Sequence, residues 1–129
     1  MFSSVGKLIY SASWLIVKAD NGIISYYSSL LNLAHRSVDL QLPKHGAHIT
    51  VVSGKYEQPK DFTFWGKYQG RELTFYYDPE AIEYGGSYYW MPVVCEELTG
   101  IREELGLKPR IKWQWHLTIG NLKHERTKS

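Results

Sequence analysis

The stretch WQWHLTIG, residues 113–120, places a histidine and a threonine two positions apart inside an apolar run. A second stretch, GAHITVVSG at residues 46–54, repeats the pattern and also ends in a glycine. Both are rich in the β-branched and aromatic residues that favour β-strands. A single copy is explained well by a core histidine beside a β-favouring threonine. Two copies in matched settings indicate a duplicated functional unit.

The spacing places both polar side chains of each stretch on one face. Residues i and i+2 of a strand project together, so His48 pairs with Thr50 and His116 with Thr118, while their apolar neighbours face a core. An imidazole can give or take a proton, and a hydroxyl can donate a hydrogen bond to a phosphate oxygen. Two such units facing one another would hold a phosphodiester, with one imidazole as base and the other as acid. The sequence leaves open which is which.

Length and composition limit the class of protein. The 129 residues suit a single domain, 1–129, with 43% hydrophobic and 22% charged residues. The one cysteine, Cys95, excludes an internal disulfide and is typical of a reducing compartment. A net charge of +2 is too small to indicate duplex DNA binding. We find no secretory signal and no apolar run long enough for a membrane, so a cytoplasmic protein is expected. The sequence contains no cluster of carboxylates that would indicate a metal site, and no cofactor is expected.

The rest of the chain reads as an α+β domain whose two ends share one order of elements: strand, helix, loop and His-x-Thr strand. Pro92 predicts that its strand lies at an edge or ends there. Gly106 predicts the end of the second helix. The predicted elements are a strand at 8–18, a helix that Asp20 or Asn21 can cap, a strand at 47–52, strand-like stretches at 61–68 and 71–78, a strand at 87–94, a helix with Val94, Leu98, Ile101 and Leu105 on one stripe, and a strand at 110–120.

Aromatic residues make up 15% of the chain, and several could stack on nucleotide bases. Strand alternation predicts that Tyr10 and Trp14 share one strand face, and that Tyr88 and Trp90 share another. It also places Lys112 and Gln114 on the face of His116 and Thr118. The alternative is that the aromatics are core residues and the lysine is simply solvated. His45 lies in a loop by this interpretation and is not a metal ligand. The candidate substrate-binding residues are Tyr10, Trp14, Tyr88, Trp90, Lys112 and Gln114.

At HIT (48–50) and HLT (116–118) the chain resembles the 2H phosphoesterase superfamily, named for two His-x-Thr/Ser motifs in pseudo-symmetric lobes. The resemblance implies a bilobed α+β fold, with two main helices and a cleft between two antiparallel sheets. It implies metal-independent phosphodiester cleavage, with His48 and His116 as the acid/base pair and Thr50 and Thr118 holding the phosphate. Within the superfamily the chain is similar to phage anti-CBASS enzymes, which degrade cyclic oligonucleotide immune signals in the host cytoplasm. In that group a ribose 2′-hydroxyl is the expected nucleophile.

Two other functions remain open at the level of sequence. The same chemistry could act on RNA ends that carry a 2′,3′-cyclic phosphate, as in RNA repair or processing. Alternatively, the chain could bind nucleotides without turnover, with the His-x-Thr pairs holding an anion. The expected partner in each case is a small nucleotide, a cyclic oligonucleotide or an RNA end, and the oligomeric state is undetermined.

Overall fold

A computed structural model describes residues 1–34, 40–85, 88–109 and 114–122. Within these ranges the chain forms an α+β fold, with two helices and a mostly antiparallel sheet, as predicted. The predicted strand residues 110–113, including Lys112 of the candidate binding set, lie outside the described residues. The elements are β1 (Phe2–Ser11), β2 (Trp14–Lys18), α1 (Asn21–Ala34), β3 (Leu40–Gln41), β4 (His48–Val52), β5 (Glu72–Tyr77), a 3₁₀ turn (Pro79–Ala81), β6 (Glu83–Gly85), β7 (Tyr88–Val94), α2 (Glu96–Glu104) and β8 (His116–Leu122).

The predicted first strand, 8–18, is in fact a hairpin of β1 and β2. Ala12 takes a positive φ of 52° in the tight turn between them. The buried positions reveal this turn, because Leu8 is even-numbered whereas Leu15 and Val17 are odd-numbered. A regular strand buries alternate residues of one parity, so a change of parity requires a bulge or a turn, and here it is the turn at Ala12.

Helix α1 begins where the sequence predicted, and its start is tied to the first motif strand. The Asp20 Oδ1 accepts from the backbone N–H of Gly22 at 2.8 Å, which caps a free helical donor. The Oδ1 of Asn21 accepts from the backbone N–H of Ala47 at 2.8 Å. This hydrogen bond therefore attaches Ala47, the residue before His48, to the N-terminus of α1.

The two strand-like stretches of the middle segment differ in outcome. The second forms β5 and pairs with β1. The first, 61–68, is not a strand but belongs to a run of tight turns that extends to residue 70, with Gly66 at a φ of 87° and Gly70 at 80°. Such φ values suit glycine and interrupt extended backbone. The Gly70 N–H donates to the Leu8 carbonyl at 2.7 Å, so the segment closes against β1 as a loop.

The sequence predicted that Pro92 lies on an edge strand or at a strand end. Strand β7 is not an edge strand, and Pro92 lies two residues before its end. Strand β7 has neighbours on both sides, because β8 pairs along one side and β6 and β5 along the other. The register leaves room for a proline, since β6 pairs with residues 88–90 and β5 pairs with residues 93–94. Pro92 falls in the gap between these partners, where no ladder N–H is needed.

The strands form one eight-stranded sheet in a continuous order that includes a short β5–β7 pairing, where the resemblance implies two sheets. Successive strands lie about 4.8 Å apart, so the five steps from β8 to β4 would span about 24 Å in a flat sheet. Strands β4 and β8 nevertheless approach within 8 Å between Cα atoms, and the sheet must curl to bring them together. The order is β3-β8-β7-β5-β1-β2-β4, with β6 beside β7.

The two helices cover the core side of the sheet in a crossed arrangement. Helix α1 follows β2 in sequence but packs against β8, and α2 follows β7 but packs against β4. Leu98, Ile101 and Leu105 are buried as predicted, and Gly106 has a φ of 76° just after α2. Val94 is an exception, because it ends β7 and is exposed. In the described part of the chain, no helix is long and apolar enough to cross a membrane.

Candidate functional site

The two His-x-Thr motifs lie on the same face of the sheet. Directly opposed residues of antiparallel strands point the same way, and His48 is opposite Lys18 while His116 is opposite Pro92. Lys18 and Pro92 are connected through β1 and β5 by a chain of residues that all point to the same side, since each is the cross-strand partner or the i+2 neighbour of the next. Every residue on this route is half-buried or exposed, and the opposite face holds the core. We call this side the polar face. Its linking residues, each a cross-strand partner or an i+2 neighbour of the next, are Lys18, Lys7, Val5, Ser3, Tyr76, Val94 and Pro92.

The motif strands have the same burial pattern, position for position. In β4 the order is half-buried, buried, half-buried, buried, buried for His48 to Val52. In β8 the same five classes describe His116 to Gly120. Two consecutive buried residues interrupt the alternation at the same point of each strand. The structure therefore repeats although the sequences share only the histidine and the threonine.

A register shift explains the two consecutive buried residues. On β4, Thr50 is opposite Ile16 while Val52 is opposite Leu15, so Val51 has no partner of its own. On β8, Thr118 is opposite Trp90 while Gly120 is opposite Tyr89, which leaves Ile119 as the extra residue. Each motif thus ends in a β-bulge directly after its threonine. Bulges of this kind re-aim side chains and are enriched near functional sites.

Both imidazoles are held in the same way by backbone. The Nδ1 of His48 lies 3.1 Å from the carbonyl oxygen of Gly46, and the Nδ1 of His116 lies 2.9 Å from that of Gln114. In each case the partner is the residue two positions earlier. A carbonyl only accepts, so these contacts place the proton on Nδ1 in the neutral ring. The Nε2 lone pair of each histidine is then available as a base.

The immediate neighbours of the two motifs differ. Trp90 lies across from Thr118, and its ring meets that of His116 with centroids 5.6 Å apart and planes at 61°. In the other half, Ile16 takes the position of Trp90 and lies across from Thr50. The duplicated histidine–threonine geometry is thus surrounded by an aromatic ring in one half and an aliphatic side chain in the other.

Two further aromatic candidates occupy equivalent positions. Trp14 lies two residues before Ile16, the cross-strand partner of Thr50. Tyr88 likewise lies two residues before Trp90, the cross-strand partner of Thr118. Both are on the polar face, where 38% of Trp14 and 49% of Tyr88 is exposed. Trp90 is half-buried on the same face. The structure therefore places three of the four aromatic candidates alongside the motifs.

Tyr10 is not part of this group, and the predicted face shared by Tyr10 and Trp14 is wrong. The hairpin puts Tyr10 opposite Leu15, on the core side of the sheet. Its ring packs edge-on against Trp65 at 4.9 Å, and its hydroxyl oxygen accepts from the Tyr68 N–H at 3.4 Å. Burial raises the pKa of the Tyr10 hydroxyl. Tyr10 holds the 61–70 loop against the sheet.

Gln114 lies just before β8 and is exposed. Its backbone carbonyl holds the His116 ring, so the described contact does not involve its side-chain amide.

Trp115 is buried, in agreement with the prediction for the face opposite His116. His45 lies in an exposed turn just before β4. Among the described residues, no group of three or more His, Cys, Asp or Glu side chains converges as metal ligands would.

A buried ion pair behind the first motif was not predicted from sequence. Arg102 of α2 is 1% exposed, and its guanidinium donates twice to Glu57, at 2.6 and 2.8 Å. The same guanidinium donates to the carbonyl oxygen of the bulge residue Val51 at 2.8 Å. Burial opposes ionisation of the Glu57 carboxyl, but the hydrogen bonds and charge of Arg102 outweigh it and lower the Glu57 pKa. Arg102 lies four residues after Leu98 and so on the apolar face of α2, but its partner Glu57 is 45 residues away in the chain, and no local pattern marks the pair.

Comparisons of this chain with protein-family models, with curated proteins and with solved structures found no match.

Proposed function

We propose that this chain is a metal-independent phosphodiesterase of the 2H type that cleaves small nucleotide phosphodiesters, foremost cyclic oligonucleotides of the kind degraded by phage anti-CBASS enzymes. One observation carries the proposal. Two imidazoles on the same sheet face are each fixed by an Nδ1 contact to the carbonyl two residues earlier, and each has an Nε2 available beside a threonine. An imidazole that is fixed through Nδ1 and accepts at Nε2 is suited to proton transfer.

In the proposed fold, the polar face lines the inside of the curl, and the two motif strands flank a cleft between two lobes. The approach of β4 to β8 and the crossed packing of α1 and α2 support this arrangement. A phosphodiester in the cleft would have His48 with Thr50 on one side and His116 with Thr118 on the other.

The proposed reaction is an in-line displacement at phosphorus. One neutral imidazole takes the proton of the ribose 2′-hydroxyl at Nε2 while the oxygen forms its bond to phosphorus. The other imidazole, protonated, gives its Nε2 proton to the departing 5′-oxygen as that P–O bond breaks. The products are a 2′,3′-cyclic phosphate and a free 5′-hydroxyl, and the two imidazoles have exchanged protonation states.

The threonines stabilise the negative charge that develops on phosphorus. Both hydroxyls stand next to an imidazole on the same strand face, and both are half-buried. A hydroxyl aimed at a non-bridging oxygen stabilises the transition state more than the ground state, because the charge on that oxygen grows during the reaction. Trp90, Trp14 and Tyr88 would provide stacking surfaces for the bases.

A substrate screen tests the proposal. Purified protein is incubated in EDTA with cyclic dinucleotides, cyclic trinucleotides, 2′,3′-cyclic mononucleotides and an RNA that ends in a 2′,3′-cyclic phosphate, and products are separated by chromatography. Cleavage in chelator is expected, with cyclic oligonucleotides cleaved fastest. Faster cleavage of the RNA end would favour the RNA-processing function, and binding without product would favour a nucleotide-binding module.

Variants then connect the activity to the motifs. His48→Ala and His116→Ala should each lower kcat at least about 100-fold, because each removes one proton-transfer group. His45→Ala is the matched control, since His45 is exposed three residues from His48 and lies outside the proposed site. Thermal unfolding followed by circular dichroism checks that each variant is folded. Full activity in either motif variant would overturn the proposed function.

A further inference from the structure

A row of charged side chains crosses the polar face next to His48. Successive cross-strand partners are His48 on β4, Lys18 on β2, Lys7 on β1 and Glu72 on β5. Directly opposed residues share a face, so these four side chains project to the same side of the sheet. Lys18, Lys7 and Glu72 are exposed. The row runs away from the first motif, across three neighbouring strands.

Two lysines directly opposite one another are an unfavourable pair. Like charges at such positions repel and lower the stability of the sheet. Within the described ranges, the ion pairs involve Lys67, Arg71 and Arg102, and neither Lys7 nor Lys18 has a carboxylate within 4 Å. Glu72 opposes Lys7 but does not reach its ammonium group. An anion bound between the two ammonium groups would remove the repulsion.

The lysine pair belongs to only one half of the duplicated site. Pro92 occupies the position opposite His116 that Lys18 occupies opposite His48. Pro92 carries no charge, and the aromatic Trp90 lies beside it on the same face. The shared histidine–threonine chemistry therefore does not need the lysines. Their one-sided position indicates recognition of a substrate group that lies beyond the reacting phosphate on the His48 side.

We propose that Lys18 and Lys7 bind a second phosphate of the substrate, one nucleotide away from the phosphate held between the two His-x-Thr motifs. The inference rests on the proposed function and specifies its substrate class: phosphodiesters with at least two phosphates, as in cyclic dinucleotides and longer cyclic oligonucleotides. A nucleotide with a single 2′,3′-cyclic phosphate would leave the lysine pair empty.

The dimensions of the sheet suit this assignment. Adjacent strands are about 4.8 Å apart, so the backbones of Lys18 and Lys7 lie about 5 and about 10 Å from that of His48. Each ammonium sits on a flexible four-carbon stem and can converge on an anion between the two strands. A substrate so placed would extend from the Trp90 side of the site, across the motifs, to the lysine pair.

Binding to a non-cleaving protein tests the inference. The double variant His48→Ala/His116→Ala serves as background, and Lys7→Ala with Lys18→Ala is added to it. Isothermal titration calorimetry at about 0.1 M salt measures the Kd of 3′,3′-cyclic di-AMP, which has two phosphates, and of 2′,3′-cyclic AMP, which has one. Lys67→Ala in the same background is the control, because Lys67 is exposed and pairs with Glu104 on the helix side of the sheet.

The expected result is a Kd at least about 10-fold higher for the dinucleotide, with less than a 2-fold change for the mononucleotide. The salt dependence of dinucleotide binding should also become shallower, because a phosphate contact releases counterions. An equal loss for both ligands would mean that the lysines hold the reacting phosphate, and no loss for either would mean that they bind neither. Each of these outcomes overturns the inference.

This experiment is separable from the test of the proposed function. Wild-type protein that cleaves none of the four substrate classes would contradict the phosphodiesterase proposal. Binding by the non-cleaving background would still show whether the lysine pair distinguishes two phosphates from one. Conversely, normal cleavage of cyclic di-AMP by the Lys7→Ala/Lys18→Ala protein would retain the phosphodiesterase and eliminate the second phosphate site.

Discussion

Val51 and Ile119 occupy the same structural position in the two halves of this protein. Each is the unpaired residue of a β-bulge, and each directly follows the threonine of a His-x-Thr motif. Both are fully buried, with 0% exposure. The bulge lets two consecutive residues enter the core while the histidine and threonine before it stay on the opposite face. Together with the matching Nδ1 contacts, it makes the two halves equivalent where their sequences are not.

The threonine hydroxyls provide a direct test of phosphate stabilisation. Thr50→Val and Thr118→Val remove a hydroxyl but retain the branched shape of the side chain, and each should lower kcat about 100-fold with a small effect on stability. Steady-state kinetics on the best substrate of the screen measures this. Thr74→Val is the matched control, because Thr74 is exposed on the same face but lies on β5. Unchanged kcat in both motif variants would argue against this role.

Trp90 should contribute to base binding, whereas Tyr10 should not. Trp90→Ala removes the ring beside His116, and KM should rise about 10-fold because base–aromatic stacking contributes about 1–3 kcal/mol. Trp90→Phe, which keeps a stacking surface, should recover most of the loss. Tyr10→Phe should leave KM and kcat unchanged, since Tyr10 faces the loop at 61–70. A Tyr10→Phe protein with a strongly raised KM would contradict the placement described here.

The proposed cleft predicts that the two motifs are close enough to be cross-linked. In a Cys95→Ala background, Thr50→Cys with Thr118→Cys should react with a short thiol cross-linker, and the linked protein should bind no substrate. Mass spectrometry of the proteolysed product identifies the link. A protein with Thr50→Cys and Thr63→Cys is the control, because Thr63 lies in the exposed turns at 61–70. Cross-linking in the control but not in the motif pair would mean that the motifs point apart.

Breaking the Arg102–Glu57 pair should destabilise the fold. Arg102→Met leaves the Glu57 carboxylate and the Val51 carbonyl without the guanidinium. The expected cost is about 3 kcal/mol, at the lower end for buried pairs because 22% of the Glu57 side chain remains exposed. Urea denaturation measures the free energy of unfolding. Arg102→Met with Glu57→Gln should cost less than the sum of the single variants, because no charge is left unpaired.

The same pair predicts a direction for acid sensitivity. The pKa of Glu57 is lower in the folded chain than its ordinary value of 4.5. Its ionised form therefore favours folding fully above about pH 4.5, and this contribution is lost as the pH falls through the lowered pKa. The stability difference between wild type and Glu57→Gln should shrink as the pH drops below about 4.5. A difference that grows in that range would contradict the assigned direction.

Local patterns were sufficient to predict several features of the fold. Strand alternation put each histidine beside its threonine, the pair Asp20 and Asn21 indicated the start of α1, and Gly106 indicated the end of α2. These features depend on residues within a few positions of one another, so periodicity and capping identify them. The same local logic failed at 61–68, where apolar residues resemble a strand but two glycines in positive-φ turns prevent extended pairing.

The tertiary structure decided what depends on distant parts of the chain. The sequence alone determined an α+β domain with two polar His-x-Thr stripes. Only the folded sheet showed that the stripes share a face, that Lys7 and Lys18 stand opposed beside His48, and that Arg102 reaches Val51 beneath the first motif. Strand order, register and curl arise from pairing between segments tens of residues apart, and they are selected by burial of one shared core. Strand order and register cannot be predicted from any short segment of sequence, because the interactions that stabilise them extend over the whole sheet.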